Sequence, residues 1–406
     1  MFCHKNFNYT KSLQRYGEKR LKFDEHVVVT DVLVVGGGMA GCFAAIKARE
    51  KAKREGKELQ VTLVDKGYVG KSGQTPFAGA FAVFNPEWGH KLEDWIKHVS
   101  VTCEYVNNRA WTETVFRDSY ARYKDLVSWG VECTRGATLP GPRMRVTEAV
   151  HLSPNFPMVL RKQVLASGAK IMDRTMIVEL LKENERVVGA VGFALDGPDI
   201  YIFKAKATVL CTGAGGFKPA GWPISELTAD GHIMAYKVGA EITGKEFADT
   251  HSTRADYPAL AAGAHPLIFR SPSEVPRRPP RGRLINAEGQ EVKGIGTLFL
   301  ELEFEAHAGR APVFRVGPDG RKVQVIGGAA SGMSVHTAEG VWPADMKCAA
   351  AGLQGLYAAG DSLGTMMTGA VYSAPGCALC TAAVTGARAG EGAAEYALQA
   401  EPPAVG

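Results

Sequence analysis

The sequence has no long hydrophobic run. No window of its 406 residues approaches the ~18 uninterrupted apolar residues of a membrane-spanning helix, so no membrane span is expected. Residues 1–27 are polar and mixed in charge, without the apolar core of a secretory signal. An excess of one charge is also missing. Lys and Arg number 47 against 42 Asp and Glu, leaving +5, too little to argue for nucleic acid. The eight cysteines lack metal-ligand spacing and mostly sit among apolar residues. They read as small hydrophobes rather than as a disulfide framework, and no metal or iron–sulfur cluster is expected within the chain. These features predict a soluble, cytoplasmic protein.

What the sequence has in quantity is glycine: 47 residues, clustered rather than scattered. Clustered glycine suggests backbone pressed against a ligand or other backbone. The length exceeds what one core usually serves, so one large domain carrying a smaller one is expected. Residues 1–26 read as an N-terminal arm. Residues 31–35 read as a buried strand, 40–53 as a helix and 61–64 as a second strand, a β-α-β unit that implies a parallel sheet. Residues 92–131 carry helical periodicity, and 155–164 suggest another helix. Three strands follow over 170–173, 175–181 and 186–193, with a fourth over 205–211. A short helix is expected over 230–239, capped by Thr228. Residues 256–326 are rich in proline and arginine with weak periodicity, and read as an insert. A strand at 356–359 and an Ala/Gly-rich helix at 376–398 close the chain. The predicted fold is α/β: a split Rossmann-type nucleotide-binding domain over 27–255 and 327–406, with a small α+β capping domain over 256–326.

Three motifs carry chemistry. Residues 36–41, Gly-Gly-Gly-Met-Ala-Gly, match G-x-G-x-x-G between a strand and a helix. Gly36 permits the tight turn, Gly38 lets backbone approach a pyrophosphate, and Gly41 lets helix and strand pack closely. The helix N-terminus offers N–H groups and partial positive charge to phosphates. Asp65 ends the next strand, where a carboxylate is expected to bind ribose hydroxyls. A glycine turn in some other α/β sheet is the plain alternative. Residues 356–361, Leu-Tyr-Ala-Ala-Gly-Asp, resemble the second flavin signature of FAD enzymes, with Gly360 giving room and Asp361 accepting from a ribityl hydroxyl. Residues 209–215 resemble the strand end that crosses near the dinucleotide in flavoproteins, through Thr212, Gly213 and Ala214. A plain glycine turn is the alternative there.

Further segments join these: 71–75 (Lys-Ser-Gly-Gln-Thr), 227–231 leading into 235–247, 309–313 (Gly-Arg-Ala-Pro-Val) and 376–379 (Gly-Cys-Ala-Leu). With them, residues 28–396 resemble the fumarate reductase/succinate dehydrogenase flavoprotein family, the N-terminal third being most like the adenylylsulfate reductase alpha chain. The resemblance implies FAD in an extended pose beneath a capping domain. It implies cofactor contacts from Met39, Ala40, Lys66, Ser72, Gly73, Thr75 and Ile177. It also sets Gly376, Cys377, Ala378 and Leu379 at a helix start facing the flavin edge that becomes negative on reduction. Covalently flavinylated members carry a histidine in the segment after the second strand. None occurs between residues 66 and 89, so FAD is expected to be non-covalent.

The family's substrate residues are only partly present. The resemblance sets His251 and Thr253 at its His-x-Thr pair. A second histidine is expected before a Gly-Gly, but that segment is 327–332, with His336 nearby and off register. The clamp arginine is absent from 369–375, where Tyr372 and Ser373 stand instead, to contact a less charged substrate or simply to pack. The proton-donating arginine is absent from 296–305. A dicarboxylate would thus lose charge-assisted contacts, each worth ~1.5–3 kcal/mol, so fumarate or succinate is not expected as the substrate.

His251 is the best catalytic candidate, for orientation or proton exchange, against a histidine hydrogen-bonded in a domain hinge. Arg254 beside it suits an anion or a surface ion pair. Cys377 and Cys380 form C-x-x-C at a helix start; packing is favoured over a redox role. The arginines at 270, 277, 278, 281 and 283 form a solvated face, or steer an anion or an acidic partner. The expectation is an FAD-dependent oxidoreductase acting on a small molecule, anions being among the candidates. An electron-transfer flavoprotein working with an iron–sulfur partner is the second reading, and a non-catalytic flavin-binding protein the third.

Overall fold

The structure is a computed structural model that describes residues 23–103, 105–135, 147–217, 227–244, 248–252, 283–292, 305, 308–326, 333–337, 339–364 and 376–403. The chain opens with β1 (Asp24–Val35), α1 (Met39–Arg54) and β2 (Val61–Val64), then β3 (Ala80–Ala82), α2 (Leu92–Thr102) and α3 (Arg109–Ser128). Next come β4 (Cys133–Thr134), β5 (Ala149–Leu152), α4 (Phe156–Ala166), β6 (Lys170–Met172), β7 (Thr175–Glu183), β8 (Arg186–Ala194) and β9 (Asp199–Leu210). β10 (Gly216–Phe217), α5 (Asp230–Lys237), β11 (Ile242–Thr243), β12 (Ala248–Ser252) and β13 (Arg283–Ile285) follow. The last elements are β14 (Val313–Val316), β15 (Lys322–Ile326), β16 (Met333–Thr337), β17 (Gly340–Val341), β18 (Leu356–Ala358) and α6 (Cys377–Ala397).

The main sheet runs β6-β2-β1-β9, all parallel, with β18 parallel on the C-terminal end of β9. The same β9 continues backwards as the partner of antiparallel β8, which in turn pairs β7. One strand therefore belongs to two arrangements. Its last residues sit in the buried parallel layer, and its first residues sit in a half-exposed antiparallel one. Strands β1 and β9 both run 12 residues, far beyond the expected 31–35 and 205–211. Their outer halves are mostly exposed or half-buried, so they lack the continuous apolar character that marks a doubly covered strand. Residues 24–26, expected in the arm, are strand residues for that reason; His26 Nε2 meets Asp199 Oδ1 at 2.7 Å.

Two helices cover the parallel layer by unusually close contact. A methyl group at Gly386 of α6 would lie 2.3 Å from the Ala40 carbonyl oxygen, and one at Gly390 would lie 2.2 Å from that of Ala44. Much of the glycine in α6 is therefore backbone-to-backbone packing against α1. The helical stretch over 92–131 is two helices. It breaks near Tyr105, whose φ is +64°, and restarts where the Asn108 side chain accepts the Trp111 N–H. The β3-β5-β4 sheet beside it carries no signal in the sequence, its strands being only two to four residues long.

Strands β13, β14 and β15 form an antiparallel sheet. It is tied by Arg310, which reaches Glu305 through two bonds of 2.8 and 2.9 Å, while Asn286 adds a third at 2.9 Å. In a separate sheet, β12 and β10 flank β16, with His251 opposite Ser334 in the register. Thr253, Arg254, Tyr372, Ser373, segment 327–332 and the arginines at 270, 277, 278 and 281 lie outside the described residues. Arg283 is exposed and pairs with Glu291 at 3.7 Å.

Candidate functional site

The first parallel strand ends in a turn that only glycine can make. Gly36 has φ +104°, and a side chain there would strike the Cys211 carbonyl at 2.2 Å. Gly41 faces the Gly36 carbonyl at 1.8 Å from its would-be Cβ, so the first turn of α1 sits directly on the strand end. Such a helix start points its N–H groups into the space above the sheet. No acidic side chain occupies that first turn. The Met39 N–H is received by Thr75 Oγ1 at 3.0 Å.

Asp65, at the end of β2, has two roles. Its carboxylate accepts the Gly37 N–H on Oδ2 and the Gly67 N–H on Oδ1, each at 2.6 Å. It therefore braces the glycine turn while also facing the cleft beyond it.

Across the cleft lies the second glycine turn. It follows β18 as a short 3₁₀ turn, Gly360–Ser362, with Gly360 at φ +61°. A methyl group on Gly360 would lie 3.1 Å from the Ala40 Cβ. Segments 320 positions apart in sequence thus stand in contact on either side of one cleft. The cleft also takes in Ser72 to Thr75, Met176, Ile177, Cys211 to Gly213 and Ala382. About 120 Å³ of the cleft is enclosed, and the remainder stands open to solvent. Much of its wall is bare backbone. Gly73 and Gly213 both have positive φ; a Cβ would meet nothing within 4 Å at the first and only the Leu227 side chain, at 3.9 Å, at the second.

At one end Lys66 closes the cleft. Its ammonium donates to Thr228 Oγ1 at 2.5 Å and Asp230 Oδ2 at 2.7 Å. Thr228 is thereby corrected as a helix cap. The α5 N-cap is Ala229, at φ +57° and without a side-chain bond, and the Thr228 hydroxyl donates to Asp230 Oδ2 at 2.7 Å.

Of the residues proposed from sequence, Gly36, Gly38, Met39, Ala40, Asp65, Lys66, Ser72, Gly73, Thr75, Ile177, Thr212, Gly213, Gly360 and Asp361 line this cleft. Gly41 and Ala214 stand behind it. Gly376, Cys377, Ala378 and Leu379 do not line it; Ala382, a turn further along α6, does. The Gly376 carbonyl instead accepts the Ala82 N–H at 3.1 Å. Cys377 and Cys380 are fully buried, and burial raises the Cys380 thiol well above its ordinary pKa, which fits packing. Cys211 at the cleft is likewise pushed up by burial.

Residues that sequence reasoning passes over include Gln74 and Met176 in the wall, and Ser362, Thr385 and His232 behind it. Thr385 is one hydroxyl in an Ala-rich helix and His232 one histidine in a short one; neither stands in a motif. Ser362, adjacent to Asp361, is within reach of the motif it extends.

Comparison with known proteins identifies the family. A family described as FAD binding domain matches residues 31–307, more than half of the chain. A fumarate reductase (CoM/CoB) polypeptide of Methanothermobacter marburgensis is 27% identical over 281 residues, 65% of this chain and 48% of that protein. An uncharacterized FAD-dependent oxidoreductase of Methanocaldococcus jannaschii is 26% identical over 413 residues, covering 90% of this chain and 72% of its own. The solved adenylylsulfate reductase of Archaeoglobus fulgidus shares the fold, with a TM-score of 0.69 at 20% identity over 94% of this chain and 72% of that one. The chain thus spans about half the length of the fumarate reductase relative.

Proposed function

The chain belongs to the FAD-binding family of fumarate reductase and adenylylsulfate reductase flavoproteins, with FAD as its cofactor, and from that premise we propose that it is an oxidoreductase exchanging two electrons with a small organic molecule. The observation that carries the reading is the meeting of the Ala40 and Gly360 turns across a single cleft walled by bare backbone. That wall fits a diphosphate-bearing ligand. Backbone N–H groups at the α1 N-terminus suit the pyrophosphate, and Asp65 suits a ribose. Asp361 suits a ribityl hydroxyl, and the Lys66 clasp stands at one end. We assign Gly36, Gly38, Met39, Ala40, Gly41, Ser72, Gly73, Thr75, Ile177 and Thr212 to Ala214 to the same cofactor. Gly376 to Leu379 are assigned to the flavin end. The flavin, when bound, supplies the two-electron chemistry; the chain's part is to hold it and to exclude water.

His251 is our candidate to orient the substrate or move its proton, with Thr253 and Arg254 beside it. The missing arginines of the sequence argue for a substrate other than fumarate or succinate. The fumarate reductase and adenylylsulfate reductase relatives are each named as one polypeptide of a larger enzyme. This supports a second reading, in which an iron–sulfur protein takes or supplies the electrons. No helix among the described residues is long and apolar enough to cross a membrane. The seven described cysteines are free thiols, which supports a reducing, cytoplasmic setting.

Anaerobic titration of the flavin-loaded protein against carboxylates, enones and sulfur compounds tests the function. Bleaching or reoxidation of the flavin by one class selects it. Silence toward every compound, combined with rapid electron exchange with a ferredoxin-like protein, transfers the assignment to the second reading.

A further inference from the structure

The second glycine turn is tied from behind at three consecutive residues, each by a different element. The Gly360 N–H donates to Thr385 Oγ1 of α6 at 2.9 Å. Thr385 passes its own hydroxyl proton to the Thr381 carbonyl at 2.6 Å, which aims its lone pair at Gly360. The Asp361 carbonyl accepts from His232 Nε2 of α5 at 3.2 Å, which requires the imidazole proton on Nε2. The Ser362 side chain receives the Thr212 N–H at 2.8 Å and meets Thr212 Oγ1 at 3.0 Å, joining the turn to the end of β9. Thr385, His232 and Ser362 are 1%, 4% and 0% exposed. None of the three lines the cleft. A fourth contact locks the assembly: a methyl group on Gly231, at the start of α5, would lie 2.1 Å from Thr212 Oγ1.

We propose that Thr385, His232 and Ser362 are positioning residues for the cofactor, fixing the Gly360–Ser362 turn before FAD arrives. The inference rests on the reading that FAD occupies this cleft. A short turn that opens on a left-handed glycine has little intrinsic preference for one geometry, and a ligand that has to order it loses affinity for doing so. Each tie removes one such freedom. Two of the ties use backbone groups of the turn and the third uses the Ser362 side chain, while Asp361 itself lines the cleft. None of the three touches the reacting atoms; they act through the turn.

The test compares Thr385→Val, which keeps the shape and removes the hydroxyl, with Thr385→Ser, which keeps the hydroxyl. The readouts are the FAD dissociation constant, the visible circular dichroism of the bound flavin, and amide exchange of Gly360 and Thr212 in flavin-free protein. In the unaltered, flavin-free protein both amides should be as protected as the strands beside them. Thr385→Val should weaken FAD binding by about tenfold or more, from one buried N–H left unpaired, and change the flavin dichroism. Thr385→Ser should restore both. Should Thr385→Val fail to fold, Ser362→Ala is expected to give the same loss.

Unprotected Gly360 and Thr212 amides in the flavin-free protein overturn the proposal. So does a Thr385→Val protein that binds FAD as tightly as the original, and so does a Ser variant as impaired as the Val one. Each of these leaves FAD binding by the unaltered protein intact. Failure of the unaltered protein to take up FAD is a separate result, and it removes the reading of the cleft itself.

Discussion

Asp65→Asn tests the brace beneath the first glycine turn, with the loss of any ribose contact adding to the loss of FAD affinity. The substitution keeps the side chain's shape. It leaves one acceptor oxygen for two N–H donors, those of Gly37 and Gly67, which now share a carboxylate at 2.6 Å each. One charge-assisted bond, worth ~1.5–3 kcal/mol, is lost, and the remaining N–H faces an amide NH₂. Asp65 is only 9% exposed, so water does little to compensate. The expected cost is about 2 kcal/mol by the same bond strength. If the turn alone loosens, the cost appears as roughly 30-fold weaker FAD binding with near-normal unfolding. If the turn is held by its neighbours, the cost appears in the unfolding free energy of the flavin-free protein. Fluorescence titration with FAD and urea denaturation, run on the same preparations, divide the loss between the two. An Asn variant unchanged in both measurements would refute the brace.

Other outcomes follow from named contacts. Gly390→Val should destabilise the fold by at least ~2 kcal/mol, because its branches would meet the Ala44 carbonyl of α1; thermal unfolding reports it. Asp173 is opposed by burial, but the Arg161 guanidinium and the Val69 N–H outweigh this and hold its pKa below the ordinary 3.8. Its contribution is therefore present at neutral pH and lost as pH falls through the lowered value. Asp173→Asn should cost about 1 kcal/mol at pH 7 and nothing in strong acid, measured as a difference in unfolding free energy. For His232, burial lowers the pKa, against the Asp361 carbonyl, Glu339 and Asp230, which raise it. Below the ordinary value of 6.5 the unfolded chain takes up a proton that the folded chain resists, so stability falls with pH. His232→Gln cannot titrate and should lose less stability between pH 7 and pH 5 in denaturant titrations.

The sequence shows the parallel layer and both glycine turns because close backbone approach admits only glycine, and because doubly covered strands are continuously apolar. Gly36, Gly41 and Gly360 are legible for that reason. The outer halves of β1 and β9 are not, since strand ends open to water carry residues such as Asp24, His26 and Lys204 that no buried-strand pattern predicts. The break between α2 and α3 is hidden because both helices keep the same apolar spacing on either side of it. The position of Asp65 at a strand end gives its place at the cleft. Its two bonds to backbone depend on a turn geometry that residue type does not encode. The ties behind the second turn are least legible of all. Thr385, Ser362 and His232 come from three separated segments, and only the fold brings them to consecutive residues of one turn.

The central claim is that two distant stretches of chain hold one FAD. Hydrogen exchange of the flavin-free protein, compared with the same protein saturated with FAD, measures this directly. The account predicts uptake of one FAD per chain, released intact on denaturation, with slowed exchange at both residues 37–41 and residues 360–362. Slowing confined to one of the two segments, or no uptake of FAD, would contradict it.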